Sequence, residues 1–215
     1  MSADDATGRS PTPYLIRTER LTIRCWEPRD ARLLKDALDT SLDHLRPWMP
    51  WAEDEPRPLE EKAELLRSFR GRFDLGEDFV YGIFTPDESE VIGGSGLHTR
   101  VGPGALEIGY WIRASHTGRG FARETAAALT KAAFRLFGVE RVEIRIDPAN
   151  EASLRVPRAL GFAEEGTLRR RLPAREGQTA RDAVVFTLFS DELDGSPAAR
   201  CEIEAFDVLG RLLAL

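Results

Sequence analysis

Six consecutive residues, Thr117-Gly118-Arg119-Gly120-Phe121-Ala122, are the part of this 215-residue chain best suited to hold an anion. Two of them lack side chains and stand where a helix begins, so successive backbone N–H groups can face outward unobstructed. Two elements must position them. An apolar strand, 105–113, runs into the turn. Behind it Phe121, Thr125, Ala128, Leu129, Ala132, Leu136 and Phe137 recur at helical spacing, which gives the helix one face to bury and aims its N-terminus at a ligand. Gly138 supplies the left-handed stop.

A glycine turn of this kind suits a dinucleotide, a nucleoside triphosphate or a coenzyme A pyrophosphate. A dinucleotide site wants a third small residue where Arg123 stands, and an acidic residue about 20 positions on. Asp147 lies further along than that. A triphosphate loop needs Gly-Lys followed by Ser or Thr, and no such triplet follows. The third reading rests on a resemblance. The turn is similar to the coenzyme A pyrophosphate loop of the GNAT superfamily of N-acetyltransferases, whose pattern is Arg/Gln-x-x-Gly-x-Gly/Ala. Gly120 and Ala122 match it. Thr117 departs from it, which removes one side-chain contact and leaves the backbone ones.

Glu107-Ile108-Gly109-Tyr110-Trp111-Ile112 before the turn, and Asp147-Pro148-Ala149-Asn150-Glu151-Ala152-Ser153 with Leu160-Gly161-Phe162 after it, resemble the RimJ/RimL-type ribosomal-protein N-acetyltransferase branch in order and distance. The resemblance runs from about Leu15 to Leu193. It implies a mixed α/β (α+β) GNAT fold. Its central sheet would be mostly antiparallel, with a β-α-β acyl-CoA-binding crossover whose parallel strands splay to admit pantetheine. The implied activity is acetyl transfer from acetyl-CoA, without a metal, to a primary amine by direct attack. The amine would be a protein N-terminus or a small molecule. The implied cofactor-side residues are Tyr110, Trp111, Ile112, Thr117, Gly118, Arg119, Gly120, Phe121, Ala122, Asn150 and Ser153.

Such a transfer needs a neutral amine, a donor for the developing oxyanion and a path for the thiolate to leave. Positioning contributes most of the acceleration. A general base within reach adds about 10²–10⁴-fold. Glu107 is the first candidate, because its strand neighbours are apolar and the matching family position is often a glutamate relaying a proton through water. The same carboxylate could instead be solvated or pair with an arginine. His98 and His116 are alternatives, since imidazole titrates near neutrality. His116, one residue before the loop, reads better as a turn residue. Backbone N–H groups near Trp111 or Ile112 are expected to hold the oxyanion. Ser153 resembles the family's thiol-side residue, although a helical serine also bonds its own backbone and Asn150 also suits a plain cap. Trp48 and Trp51, in a proline-rich loop that the family places beside the acceptor, either wall the substrate pocket or cover the core.

Two other function classes are open. One is a noncatalytic acyl-CoA sensor or docking module of the same fold. The other is a transferase using a different donor such as succinyl-CoA. A dinucleotide enzyme is the plain alternative to both.

A formal charge of -6, with 42% hydrophobic and 31% charged residues, describes an ordinary globular chain without a nucleic-acid footprint and leans toward cationic substrates. Cys25 and Cys201 have no spaced partners, which points to a reducing cytoplasm and to neither a disulfide framework nor a zinc site. No apolar run is long enough for a membrane span, and the acidic start argues against a secretory signal.

The rest of the chain reads as one domain, 14–193, between a loose lead-in, 1–13, and an apolar extension, 194–215. A strand around 21–25 precedes a helix opened by Pro28, and Pro58 opens a second helix. Period-two patterning then predicts a meander through 79–84, 91–99 and 105–113. After the long helix, the strand 141–147 should run parallel to 105–113 by a right-handed crossover. Asn150 opens a short helix ended by Gly161, with Pro157 inside it predicting a kink or tightening beside Ser153. A hairpin turned by Arg175-Glu176-Gly177-Gln178 closes the pattern. The extension either packs back on the domain, covers a sheet edge or meets a partner subunit, which leaves a homodimer open.

Overall fold

Alternation of period two sorts the central strands between two apolar layers. In β3 (Phe79–Phe84), Phe79, Tyr81 and Ile83 join one core cluster while Phe84 joins the other, with Val80 packed against it. The first cluster is covered by α4 (Phe121–Arg135), which buries Ala126, Ala127, Ala128 and Leu129 in it. The second is covered by α1 (Ala31–Asp39) and by Leu66 of α3 (Leu59–Leu75). Between α1 and α3 lie a short α2 (Leu42–Leu45) and the tryptophan loop.

These contacts come from a computed structural model that describes residues 11–174 and 179–215. Among the described residues the strands form one mixed sheet in the order β7-β8-β6-β5-β4-β3-β2-β1-β9. Besides β3, its members are β1 (Leu15–Arg17), β2 (Thr22–Cys25), β4 (Val91–His98), β5 (Ala105–Ile112), β6 (Arg141–Ile146), β7 (Ala163–Leu172), β8 (Arg181–Phe189) and β9 (Glu204–Phe206). Only β5 and β6 pair in parallel, joined by α4. The fold class expected from the sequence is the one observed.

Two features refine the sequence reading. The extension beyond residue 194 contributes β9, which pairs antiparallel with β1 and so covers an edge of the sheet. Ala205 is buried there while Leu209 and Leu212 remain exposed. α5 (Glu151–Leu160) passes through Pro157 as continuous helix and ends at Gly161 in the left-handed conformation. The expected hairpin turn at 175–178 lies outside the described residues. None of the helices among the described residues is long and apolar enough to cross a membrane.

Candidate active site

The parallel ladder is short. It pairs Ala105 with Arg141, Leu106 with Val142 and Glu107 with Glu143, although β5 runs on to Ile112 and β6 to Ile146. Each strand stays with its outer antiparallel partner instead: β5 follows β4 as far as the Gly93–Ile112 pair, and β6 follows β8 as far as Ile146–Val184. Those two commitments pull the strands apart after Glu107, which is the expected splay.

A cavity of about 980 Å³ opens at the gap. It is lined by Trp111, Gly109 and His98, on the α1/α3 side of the sheet, and by Tyr110, Asn150 and Ser153, on the α4/α5 side. The cavity therefore connects the two faces. The Arg113 N–H donates to the Ile92 carbonyl at 2.8 Å. Because a strand's amides alternate, those of Ile112 and Tyr110 turn the other way, toward the gap, while the amide of Trp111 turns toward β4.

On the α5 side the Asn150 side-chain oxygen Oδ1 accepts from the Ser153 N–H at 3.1 Å, so Asn150 caps the helix. Pro157 cannot donate to the Ser153 carbonyl four residues back. The Tyr110 hydroxyl fills that vacancy, donating to the Ser153 carbonyl at 3.3 Å and lying 2.9 Å from Ser153 Oγ. Tyr110 has one proton, so with that donation made, Ser153 Oγ–H donates to it. Burial pushes the Tyr110 phenol up to about 12, against a smaller lowering by the bond to Ser153.

On the other face all four tryptophans of the chain, Trp26, Trp48, Trp51 and Trp111, line the cavity. Trp51 meets Trp111 edge-on, with ring centroids 6.1 Å apart. Gly94 makes this arrangement fit, since a Cβ there would stand 2.5 Å from the Trp111 indole nitrogen. The tryptophan loop is pinned by Glu55. Its carboxylate pairs with Lys62 of α3, a side chain with no exposed surface, and accepts the Arg57 N–H at 2.9 Å. Arg46 donates to the Glu55 carbonyl at 3.0 Å.

Glu107 is buried, and Arg100 grips its carboxylate through Nη2 at 2.5 Å and Nε at 3.1 Å. Arg145 stands 3.9 Å away. His98, its cross-strand partner, bonds Asp78 instead, with Nδ1 2.7 Å from Oδ1. Burial alone would raise the Asp78 carboxyl, but the His98 bond and the charges of His98, Arg72 and Arg100 hold it below the ordinary carboxylate range. Neither cysteine lines the cavity, and burial pushes both thiols up to about 11. A cysteine thiolate is therefore poorly placed to carry the acyl group.

Thr117 to Ala122 lie outside this lining, between the end of β5 and the start of α4. Gly118 and Gly120 have φ of +74° and +83°, which a residue with a Cβ adopts only under strain. Gly120 is the N-cap of α4 and gives it no side-chain cap, so the first amides of a 15-residue helix stay available. The Thr117 hydroxyl is spent on the Ala114 carbonyl at 3.0 Å. Arg20 braces the loop, donating to the Arg119 carbonyl at 3.1 Å and to Glu124 at 2.7 Å.

Residues 20–163 match the acetyltransferase (GNAT) domain family. The chain belongs to this family. It is 29% identical over 164 residues to the [ribosomal protein uS5]-alanine N-acetyltransferase of Escherichia coli, covering 74% of this chain and 83% of that one. The Mycobacterium smegmatis RimJ in complex with CoA-disulfide superposes with a TM-score of 0.78 at 24% identity, over 89% of this chain and 95% of that one. A RimL ribosomal α-N-protein acetyltransferase in complex with coenzyme A does so with a TM-score of 0.73 at 21% identity, over 81% and 97%. Within the family this GNAT enzyme groups with the RimJ/RimL type, and its reaction is acyl-CoA-dependent transfer to an amine. The dinucleotide reading falls with that assignment.

Asp78, Arg100 and Trp26 were not singled out by sequence reasoning. The period-two glycines Gly94 and Gly96 mark only the space taken by Trp111 and His98, because vacated positions on one face of a strand show where large groups lie.

Proposed function

We propose that this GNAT enzyme transfers acetyl from acetyl-CoA to the α-amino group of a peptide or protein N-terminus, by direct attack and without a metal. The observation that carries the reading is the cavity through the sheet. It gives donor and acceptor opposite entrances and a common meeting point at the end of the β5–β6 ladder. The uncapped amides behind Gly118 and Gly120 suit the pyrophosphate, and the gap suits the pantetheine arm.

In this reading the amides of Ile112 and Tyr110 receive the carbonyl oxygen as it gains charge. Two such donors are worth several kcal/mol where water is excluded. Ser153, tied to Tyr110, stands on the thiol side. Trp48, Trp51 and Trp111 wall the acceptor side, and an aromatic wall suits an N-terminal residue with an apolar side chain. A cytoplasmic site of action goes with a protein N-terminal acceptor.

The test is release of free thiol from acetyl-CoA with N-terminal peptides, compared with polyamines and aminoglycosides, and with succinyl-CoA as the competing donor. Peptide-dependent release supports the reading. Binding of coenzyme A esters without turnover on any amine would return the chain to the role of a sensor.

A further inference from the structure

Resting on that transferase reading, we infer that His98 accepts the acceptor's proton, that Asp78 orients it, and that Glu107 is not the base. Asp78 directly precedes β3 and His98 ends β4. Their Nδ1–Oδ1 contact of 2.7 Å fixes the imidazole, and Asp78 Oδ2 is held by Arg72 at 3.1 Å. A neutral imidazole that gives its Nδ1 proton to a carboxylate keeps its lone pair on Nε2. Nε2 makes no hydrogen bond among the described residues, and His98 lines the cavity.

The ring has been given its place by two facing glycines. Gly96 of β4 pairs with Gly109 of β5. A Cβ on Gly96 would stand 2.7 Å from His98 Nε2, and one on Gly109 would stand 3.5 Å away. The imidazole thus lies against bare backbone, with the gap between β5 and β6 next to it. Glu107 faces the same side, but Arg100 donates to each of its oxygens. A carboxylate held in this way serves to keep Arg100 and β5 in place. The charged groups around the imidazole are then Asp78, Arg72 and Arg100, with Glu107 opposite and Arg145 behind Glu107.

The acceptor enters as an ammonium. Nε2 takes one proton from it, directly or through one water, and leaves the nitrogen lone pair free. That pair forms the C–N bond as the carbonyl π pair moves to oxygen. Collapse breaks the C–S bond, the thiolate leaving with the pair, and the surplus proton on nitrogen passes to sulfur. The imidazolium releases its proton to solvent.

Four proteins test this: the wild type, His98→Gln, Asp78→Asn and Glu107→Gln. Each is assayed for thiol release against pH, thermal stabilisation by acetyl-CoA, and melting temperature. His98→Gln should lower kcat by about 10²-fold or more, keep the stabilisation by acetyl-CoA, and lose the decline of kcat/KM on the acid side of the profile. Asp78→Asn should lower kcat through the wrong tautomer while leaving the stabilisation intact. Glu107→Gln should retain the acid-side decline. If His98→Gln does not fold, Gly96→Ala, which pushes the ring off its seat, should give the same loss. Wild-type turnover with His98→Gln or Gly96→Ala overturns the assignment, and so does an acid-side decline that disappears in Glu107→Gln. A wild type that releases no thiol with any amine overturns the transferase reading itself and this assignment with it, so the two failures are distinct.

Discussion

The hydroxyl of Tyr110 lies 2.9 Å from Ser153 Oγ and also donates to the Ser153 carbonyl, tying β5 to α5. Pro157 is the reason that carbonyl is open, because a proline cannot make the helical bond back to it. A strand residue has taken over a bond that a helix normally makes for itself, and the serine beside the gap is oriented by it.

Tyr110→Phe should therefore cost about 1 kcal/mol by leaving the carbonyl without its donor. Pro157→Ala restores an N–H at that place, so the Tyr110→Phe penalty should shrink in the Pro157→Ala background. Urea unfolding of the four proteins in the cycle measures the coupling. Equal penalties in both backgrounds would show that the Tyr110 bond does not stand in for the N–H missing at Pro157.

The glycine loop separates strain from access. Gly118→Ala meets open space, so its cost should be the left-handed backbone alone, about 1–2 kcal/mol. Gly120→Ala adds a methyl at the N-cap of α4, 3.6 Å from Arg20 Nη2. Its KM for acyl-CoA should rise about 10-fold, the equivalent of 1.4 kcal/mol. Steady-state kinetics with the donor varied is the measurement, and an unchanged KM would remove the loop from the donor site.

Gly94→Ala acts on the other face. The new methyl would press on the Trp111 indole and drive it into the cavity. KM for the acceptor should rise while KM for the donor holds. A rise in both would mean that the tryptophan wall and the donor gap are one site rather than two entrances.

Lys62→Met leaves Glu55 buried without its ammonium, and breaking a buried pair from one side costs about 3–5 kcal/mol. Lys62→Met with Glu55→Gln should recover much of that loss in thermal melts. Activity should follow stability only in part, because Glu55 also anchors the loop bearing Trp48 and Trp51.

Alkaline pH should destabilise the fold. The Tyr110 phenol sits at about 12 in the folded chain, and the Cys25 and Cys201 thiols at about 11, all raised first by burial. Unfolded, these groups lose their protons near 10 and 8.5. Above each unfolded value the native state binds more protons than the unfolded one, so stability falls with rising pH until the folded value is passed. Below about pH 7 these groups contribute almost no slope. Tyr110→Phe should flatten the decline between about pH 10 and 12, read from urea midpoints across that range.

The amino-acid sequence determined the elements whose cause is local. Gly118 and Gly120 mark the turn before α4 because only residues without a Cβ take those angles cheaply, and alternation of period two marks the strands on either side of it. Asn150 and Gly161 bound α5 for the same local reasons. Tertiary structure decided which side chains meet. Whether Glu107 is solvated or gripped depends on Arg100, which reaches it across a turn. Asp78 and His98 are brought together by the β3–β4 pairing, 20 residues apart in the chain. Pairing between strands distant in sequence follows from competition among whole faces for burial, and no window of residues contains that competition. The splay itself is of this kind: β5 and β6 part because each is bound to a different neighbour, a fact of the sheet as a whole.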